Sequence, residues 1–252
     1  LEPFEGGHSV IINAPPVFVN EEGQVPYFDY LPVLYISGKN ENWPDIGKHY
    51  LEKINDKFIA TEDVVVLAKK ITQDAKTTSD KVKRLFKYLQ KNVTYQGLEF
   101  GSRGFIPNTS SQTINNRYGD CKDHAVLFHV MLNVLEIKNY MVLVNSSEKI
   151  IEDMPSLDQF NHVINFIEDE SGGKFWDATS KSASSSIRVP IGLGDSKALV
   201  LDPKNIHFET LGSYHQHVSK IAIDRVISIK AEKLLVNEKI VMTDYYASFI
   251  RL

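Results

Sequence analysis

The chain has 252 residues, of which 42% are hydrophobic and 24% charged, values typical of a globular protein with a sizeable core. The formal net charge of -4 and the lack of a long basic stretch argue against a nucleic-acid-binding protein. No apolar run is long enough to span a bilayer. The single cysteine, Cys121, excludes an internal disulfide, so it is either a small core residue or a reactive thiol.

The first forty residues favour β structure. Proline, glycine, tyrosine and valine are frequent there, and the prolines break any helix. The apolar run at residues 33–36 predicts a strand. We therefore expect residues 1–42 to be the tail of an N-terminal β-rich region that begins outside this chain.

Helical patterns begin at Trp43, where Pro44 occupies a first-turn position. Two more helices are predicted to begin near Thr61 and near Ser79, which is a good N-cap residue. Apolar residues recur at helical spacing in all three and predict core-facing stripes. The stripe of the first helix contains Ile46, Tyr50, Leu51, Ile54 and Phe58.

Residues 97–119 lack this periodicity and are rich in glycine, serine, asparagine and proline. They predict a long loop with one helical turn near Ser111. Long structured loops in compact domains are often functional. This loop leads into the most informative segment of the chain.

That segment is Gly119-Asp120-Cys121, followed by a strongly apolar helix. A cysteine in the first turn of a helix lies beside unpaired N–H groups and the positive end of the helix dipole, and both favour the thiolate. The same N–H groups can form half of an oxyanion hole. Gly119 allows a sharp turn and a close approach of substrate. The pattern therefore indicates a nucleophilic cysteine.

After residue 139 the pattern changes to β. Short apolar strands are predicted at residues 140–144, 160–167, 174–179 and 198–201. Two longer β runs are predicted at residues 218–230 and 233–250.

His162 is the best candidate for a base, because histidine transfers protons near neutral pH and a strand holds it rigidly. Strict alternation would place Phe160, His162, Ile164 and Phe166 on one face. Asp177, on the following strand, is the candidate for orienting the histidine.

Two registers are open for this hairpin. A loop centred near residues 169–170 brings His162 and Asp177 within about one rung of each other. A turn centred on residues 172–173 separates them by several rungs. The sequence alone does not decide between these registers.

Gly119-Asp120-Cys121 at a helix start, His162 at a strand start and Trp176-Asp177-Ala178-Thr179 on the next strand resemble the transglutaminase-like superfamily. The resemblance covers roughly residues 45–205, and residues 118–123 resemble a bacterial branch in which the core lies between two β-rich domains. It implies an α+β papain-like fold with a nucleophile helix packed on an antiparallel sheet, plus β-rich terminal segments. It divides the chain into residues 1–42, a catalytic core at 43–205 and the start of a C-terminal β-rich region at 206–252.

The resemblance also implies a function. Cys121 would be the nucleophile, His162 the base and Asp177 the orienting acid of an acyl transfer through a thioester. Asp177-Ala178-Thr179 stands where transglutaminases often have Asp-Pro-Thr, which leaves the acid in place. We expect hydrolysis of a peptide or protein amide, with no cofactor and no metal. Bacterial relatives are mostly exported, which implies the periplasm or the cell surface.

Other interpretations stay open. The fold could be an inactive module that binds a peptide or glycan, or Cys121, His162 and Asp177 could bind a metal ion. The family pattern does not supply the second oxyanion donor, for which the sequence offers three candidates. These candidates are Tyr95, Gln96 and Gln112.

Further polar residues have two interpretations each. His124 could compete as the base, but packing or solvent exposure is the simpler view. His215 and His217 could bind a metal, although a solvated surface is favoured. Asp120 and Asp123 could bind a substrate amine, but helix capping is favoured.

Overall fold

The computed structural model describes residues 2–4, 7–9, 21–24, 41–97, 101–170, 172–183, 189–213 and 219–248. The chain divides into two compact units, Leu1–Gly38 and Lys39–Leu252. In the first unit, β1 (Glu2–Phe4) and β2 (Gly7–Ser9) pair as an antiparallel hairpin. The strand predicted at residues 33–36 lies outside the described residues.

The second unit begins with three amphipathic helices, as the periodicity predicts. Asn42 caps the first, its side chain accepting the N–H of Asp45 at 2.9 Å. Thr77 caps the third and accepts the N–H of Asp80 at 3.1 Å, so this helix begins one residue before the predicted Ser79. The helices are α1 (Trp43–Ile54), α2 (Glu62–Thr72) and α3 (Thr78–Asn92), and a 3-10 turn (Asn55–Phe58) follows α1.

The predicted loop contains more structure than expected. It holds β3 (Thr94–Tyr95), a 3-10 turn (Gly101–Gly104), α4 (Ser110–Asn116) and β4 (Tyr118–Gly119). β3 and β4 pair in parallel, so the chain is fixed just before the predicted nucleophile helix. A capping box between Thr109 and Gln112 begins α4, whose seven residues include a single large apolar side chain. Periodicity therefore could not reveal the full length of α4.

The helix α5 (Cys121–Val134), whose first residue is the predicted nucleophile, lies at the centre of the second unit. It is buried on most sides and packs against α2, α3 and the sheet. The side chain of Asn165, on a central strand, donates to the carbonyl of Ala125 at 3.0 Å, which fixes the helix to the sheet. The expected packing of a nucleophile helix on a sheet is confirmed.

The sheet has five strands in the order β7-β6-β5-β8-β9, and every neighbouring pair is antiparallel. Along β5, Met141 and Leu143 pack with α5, whereas Val142 and Val144 belong to a second apolar cluster. Both faces of the sheet are therefore covered, and the predicted α+β class is confirmed. The strands are β5 (Asn139–Val144), β6 (His162–Asp169), β7 (Gly172–Trp176), β8 (Lys197–Val200) and β9 (His207–Thr210).

The register of the β6–β7 hairpin is close to the first of the two alternatives. Asn165 pairs with Trp176 and Asp169 pairs with Gly172, so the chain reverses between Asp169 and Gly172. One expectation about β6 is wrong: Phe160 packs on the α5 side, whereas Ile164 packs in the second cluster. The reason is that β6 begins only at His162, after a 3-10 turn at Leu157–Gln159, so alternation does not extend back to Phe160.

The C-terminal part of the chain forms a long hairpin. β10 (Ile221–Lys230) pairs antiparallel with β11 (Lys233–Met242), and nearly all their residues are exposed. Ala231 and Glu232 both have positive φ, as in a type I′ turn. The second predicted run ends at Met242 rather than at 250, because α6 (Asp244–Ser248) follows it.

In the part of the chain that the structure describes, no helix has both the length and the apolarity needed to cross a bilayer. His215 and His217 lie outside the described residues, so the two interpretations of this pair stay predictions.

Candidate active site

The start of α5 is held by reciprocal capping. The side chain of Asp120 accepts the N–H groups of Lys122 and Asp123 at 3.0 and 3.2 Å, and that of Asp123 accepts the N–H of Asp120 at 3.1 Å. The expectation that the two acids cap the helix is therefore confirmed. A Cβ atom at Gly119 would lie 2.5 Å from Cβ of Asp123, so the backbone can approach the cap this closely only with glycine at 119.

A buried ion pair accompanies the cap. Nζ of Lys122 lies 2.9 Å from Oδ2 of Asp120, and their side chains are 4% and 0% exposed. A bare carboxylate beside Cys121 would disfavour the thiolate by like-charge repulsion. The ammonium group of Lys122 offsets that charge, so Asp120 can cap the helix next to Cys121.

Asp123 also holds the segment that precedes α4. Its Oδ1 accepts the N–H of Asn108 at 2.6 Å, and its Oδ2 accepts the side-chain amide of Asn108 at 3.3 Å. Gly104 and Phe105, a few residues earlier, line the cleft beside Cys121. The carboxylate of Asp123 thus connects the start of α5 to one wall of that cleft.

His162 and Asp177 are brought together by the β6–β7 register. Nε2 of His162 lies 3.0 Å from Oδ2 of Asp177. The other carboxylate oxygen, Oδ1, accepts the backbone N–H of Thr179 at 2.9 Å and its hydroxyl at 2.6 Å. Both oxygens of Asp177 are therefore fixed, and Thr179 has a positioning role that the sequence analysis did not assign.

The imidazole of His162 also makes a hydrogen bond with the Cys121 side chain. Because Nε2 is held by Asp177, we infer that Nδ1 is the nitrogen that faces the thiol. Burial lowers the pKa of His162, but the hydrogen bonds to Asp177 and Cys121 and their negative charges outweigh it and raise this pKa to about 10. Burial raises the pKa of Asp177, but the bonds from His162 and Thr179 lower it overall. The arrangement therefore favours an imidazolium at neutral pH.

The same geometry disfavours a shared metal ion. Asp177 contacts Nε2 of His162, which places the acid and Cys121 on opposite sides of the ring. A metal ion bound to one nitrogen of the imidazole lies at one edge of the ring, so it cannot also contact a ligand at the other edge. Among the described residues, no group of three or more His, Cys, Asp or Glu could hold a metal ion.

A cleft with about 70 Å³ of interior space adjoins Cys121 and His162. Its walls are mostly apolar, with a few polar groups near the sulfur. Cys121 lines the cleft although the residue is only 3% exposed. The lining residues outside the pair are Tyr50, Gly104, Phe105, Lys122, Leu143, Leu157, Phe160, Asn161 and Val163.

The three residues considered as second oxyanion donors do not line this cleft. Tyr95 is 43% exposed and its ring lies 6.1 Å from that of His124. Gln96 is exposed and its backbone N–H donates to Gly119 at 2.9 Å. The side-chain oxygen Oε1 of Gln112 accepts the N–H and hydroxyl of Thr109 in the α4 capping box. Their catalytic role stays a prediction.

Tyr50 does line the cleft, although the sequence analysis assigned it to a core stripe. Both descriptions hold, because Tyr50 belongs to the core cluster and its hydroxyl donates to the carbonyl oxygen of Phe105, another residue that lines the cleft, at 3.2 Å. Helical periodicity predicts which face of α1 is buried, but it does not indicate that a residue of this face lines a cleft with Cys121.

His124 is buried within the second unit and does not face solvent. Its Nδ1 lies 2.8 Å from the carbonyl oxygen of Asp120, and its Nε2 lies 3.3 Å from that of Val93. The ring is therefore tied to the backbone at both nitrogens. The packing interpretation is confirmed, and His162 is the histidine that contacts Cys121.

Comparisons with known proteins give a family for part of the chain. The family model described as the transglutaminase-like superfamily matches residues 66–172, a range that includes Cys121 and His162 and ends before Asp177. No curated protein matches the chain by sequence.

Two solved structures are similar. One is described as a "putative protease" from Parabacteroides distasonis, with a TM-score of 0.53 and 15% identity over 73% of this chain and 37% of that chain. The other is described as a "putative cysteine protease" from Cytophaga hutchinsonii, with a TM-score of 0.37 and 15% identity over 76% of this chain and 57% of that chain. The alignment thus spans little more than a third of the Parabacteroides protein, and this likeness shows the fold. Residues 66–172 match the transglutaminase-like superfamily, as the motif around Cys121 predicts.

Proposed function

We propose that this protein is a cysteine peptidase or amidase that cleaves a peptide-type amide through a thioester on Cys121. The observation that carries the proposal is the continuous hydrogen-bonded series from Cys121 through His162 to Asp177, at the N-terminus of α5 and beside a cleft. A nucleophile, a base and an orienting acid in contact are the recognisable signature of covalent acyl transfer. The description of the Parabacteroides protein as a "putative protease" is consistent with it.

The first half of the reaction forms the thioester. The Cys121 thiolate attacks the amide carbonyl carbon, a C–S bond forms, and the π electrons of the carbonyl move to its oxygen. When this intermediate collapses, the C–N bond breaks and the imidazolium of His162 gives its proton to the leaving amine. Asp177 holds the ring in one orientation and stabilises its positive charge throughout.

The second half restores the enzyme. The now neutral His162 removes a proton from water, whose oxygen attacks the thioester carbonyl. The C–S bond then breaks, the carboxylic acid leaves, and Cys121 is again a thiolate beside an imidazolium. An amine in place of water would give transamidation, which is the alternative outcome of the same chemistry.

The domain division belongs to this proposal. We propose a catalytic core that begins at residue 43 and extends past the expected boundary at 205 to include β9, which pairs with β8 in the five-stranded sheet. Residues 1–42 and the segment that carries β10 and β11 would then be parts of flanking β-rich regions. The antiparallel hairpins β1–β2 and β10–β11 support β structure in both flanks.

One observation favours a second candidate, a non-catalytic module that binds a peptide or glycan. The thiol of Cys121 is buried, as it would be in a site that has lost catalysis. The hydrogen bond from His162 and the adjoining cleft favour the enzyme. Reactivity of the thiol in the folded protein separates the two candidates.

The test is iodoacetamide labelling of the native protein at about pH 6, followed by intact mass. A thiolate paired with imidazolium should label about tenfold faster than in a His162→Ala variant, since an unassisted thiol is almost fully protonated at this pH. His207→Ala, at a partly exposed histidine of β9 that does not line the cleft, is the matched control and should label like the native protein. Slow labelling at a rate that His162→Ala leaves unchanged would identify a structural cysteine and support the binding module.

Turnover is tested on a mixture of peptides with mass-spectrometric detection of products. Cleavage that disappears in Cys121→Ser would establish amide hydrolysis. Added hydroxylamine should divert the thioester to a hydroxamate, and the ratio of acid to hydroxamate measures how readily water competes with an amine.

A further inference from the structure

We infer that the hydroxyl group of Tyr50 is the second oxyanion donor of the Cys121 site, donating a hydrogen bond to the negatively charged oxygen of the tetrahedral intermediate. The inference deepens the proposed function and rests on it. Tyr50 lies in α1, is 2% exposed and lines the same cleft as Cys121 and His162.

The start of α5 can supply one donor at most. The N–H groups of Lys122 and Asp123 already donate to the side chain of Asp120, and that of His124 donates to its carbonyl at 3.1 Å. A helix-derived donor to substrate would therefore have to be the N–H of Cys121 itself. Because an oxyanion hole normally uses at least two donors, the second must come from another element.

Among the residues that the structure describes, the polar side chains that line the cleft besides Cys121 and His162 are those of Tyr50, Lys122 and Asn161, and the last two are engaged in other directions. The ammonium group of Lys122 is bound to Asp120, and moving it would leave a fully buried carboxylate without its counter-charge. The side-chain amide of Asn161 donates to Asn145 at 3.1 Å and to Ser147 at 3.3 Å. The remaining side chain is that of Tyr50.

The hydroxyl of Tyr50 already donates to a carbonyl oxygen at the cleft wall. Its acceptor is the backbone carbonyl of Phe105, at 3.2 Å, and Phe105 also lines the cleft. This is a long bond between neutral groups, whereas a bond to an oxyanion is charge-assisted and roughly twice as strong. Rotation of the hydroxyl from Phe105 to the substrate oxygen is therefore favourable only once charge has developed, as transition-state stabilisation requires.

The surroundings also keep this donor protonated. Burial, and then the negative charges of Cys121 and Asp120, raise the pKa of Tyr50 above its ordinary value. The phenol therefore retains its proton wherever the His162 imidazolium retains its own.

The test compares three reactions of native protein and a Tyr50→Phe variant, which keeps the packed ring. Loss of one oxyanion donor should lower kcat about 10²–10³-fold with little change in KM. A peptide aldehyde, whose oxygen becomes tetrahedral on addition of the thiol, should bind about tenfold or more weakly. Iodoacetamide labelling should stay within about twofold, because displacement of iodide creates no oxyanion.

Tyr88→Phe is the matched control, since Tyr88 packs against the same core from α3 but does not line the cleft. It should leave all three reactions unchanged.

Unchanged kcat and aldehyde binding in Tyr50→Phe would overturn the inference. A parallel loss of labelling and turnover would overturn it too, because Tyr50 would then position the thiol. Native protein that labels quickly but hydrolyses nothing would refute the peptidase proposal, and weaker aldehyde binding would still support Tyr50.

Discussion

Nε2 of His162 lies 3.0 Å from Oδ2 of Asp177, and the second oxygen of the same carboxylate accepts both the N–H and the hydroxyl of Thr179. The acid is therefore held in place by the chain that follows it, and it holds the imidazole in turn. Since its pKa is lowered and that of His162 is raised, each group stabilises the charged form of the other. This coupling makes the stability of the fold depend on pH.

Replacing Asp177 with Asn should remove that dependence. The pKa of His162 is about 6.5 in the unfolded chain and is raised to about 10 in the folded protein. The resulting stabilisation of the fold is complete below about pH 6.5 and is lost as the pH rises through about 10. The pKa of Asp177 is about 4 in the unfolded chain and is lower in the folded protein. The resulting stabilisation of the fold is complete above about pH 4 and is lost as the pH falls through the folded-state pKa. Urea unfolding should show Asp177→Asn about 3 kcal/mol less stable than the native protein at pH 5.5.

The difference between the two proteins should shrink towards both pH 3 and pH 10. Burial lowers the pKa of His129, but this residue titrates in both proteins and cancels in the comparison. A stability difference that is constant from pH 3 to pH 10 would show that Asp177 acts through packing and not through its charge.

The buried pair of Lys122 and Asp120 should behave as a unit. Lys122→Met leaves the fully buried Asp120 carboxylate uncompensated and should cost about 3–5 kcal/mol in the free energy of unfolding. In the double variant with Asp120→Asn, most of that loss should be recovered, because Asn still caps a helix and carries no charge. The free energies of unfolding of the native protein, both single variants and the double variant measure the coupling. Additive losses would mean that the two charges stabilise the fold independently.

Much of this molecule follows from local patterns. The helix at Cys121 was predictable from its capping residues and apolar stripe, and the strands bearing His162 and Asp177 from alternation and β-branched residues. In each case the physical cause lies within a few residues of sequence. The resemblance to the transglutaminase-like superfamily added the order of the three residues.

The remaining features depend on contacts between distant segments. The register that joins His162 to Asp177 depends on where the chain reverses between Asp169 and Gly172, and two turns are compatible with the sequence. Tyr50 has an ordinary place in the stripe of α1, and only the packing of α1 brings its hydroxyl to the cleft. Phe160 was assigned to the wrong face because a 3-10 turn interrupts the alternation.

Gly119→Ala should destabilise the start of α5. The new Cβ would lie 2.5 Å from Cβ of Asp123 and 2.8 Å from its Oδ2, so the capping box must shift. Overpacking of this kind costs about 1–3 kcal/mol, and movement of Cys121 should also slow iodoacetamide labelling. The matched control is Gly212→Ala, where the nearest atom to a new Cβ is 3.7 Å away and no loss is expected. Equal stability and equal labelling of the two variants would contradict the close approach at Gly119.

Asp123→Asn should loosen the wall of the cleft. The carboxylate accepts the N–H of Asn108 through one oxygen and that residue's amide through the other, whereas a carboxamide has only one accepting oxygen. Faster amide hydrogen exchange is therefore expected at residues 104–109, together with a loss of about 1–3 kcal/mol in stability. Asp63→Asn is the control, because Asp63 accepts the hydroxyl of Ser111 at 2.6 Å on α4 at an exposed position. If exchange at residues 104–109 rose equally in both variants, the wall would be held by α4 and not by its bond to the nucleophile helix.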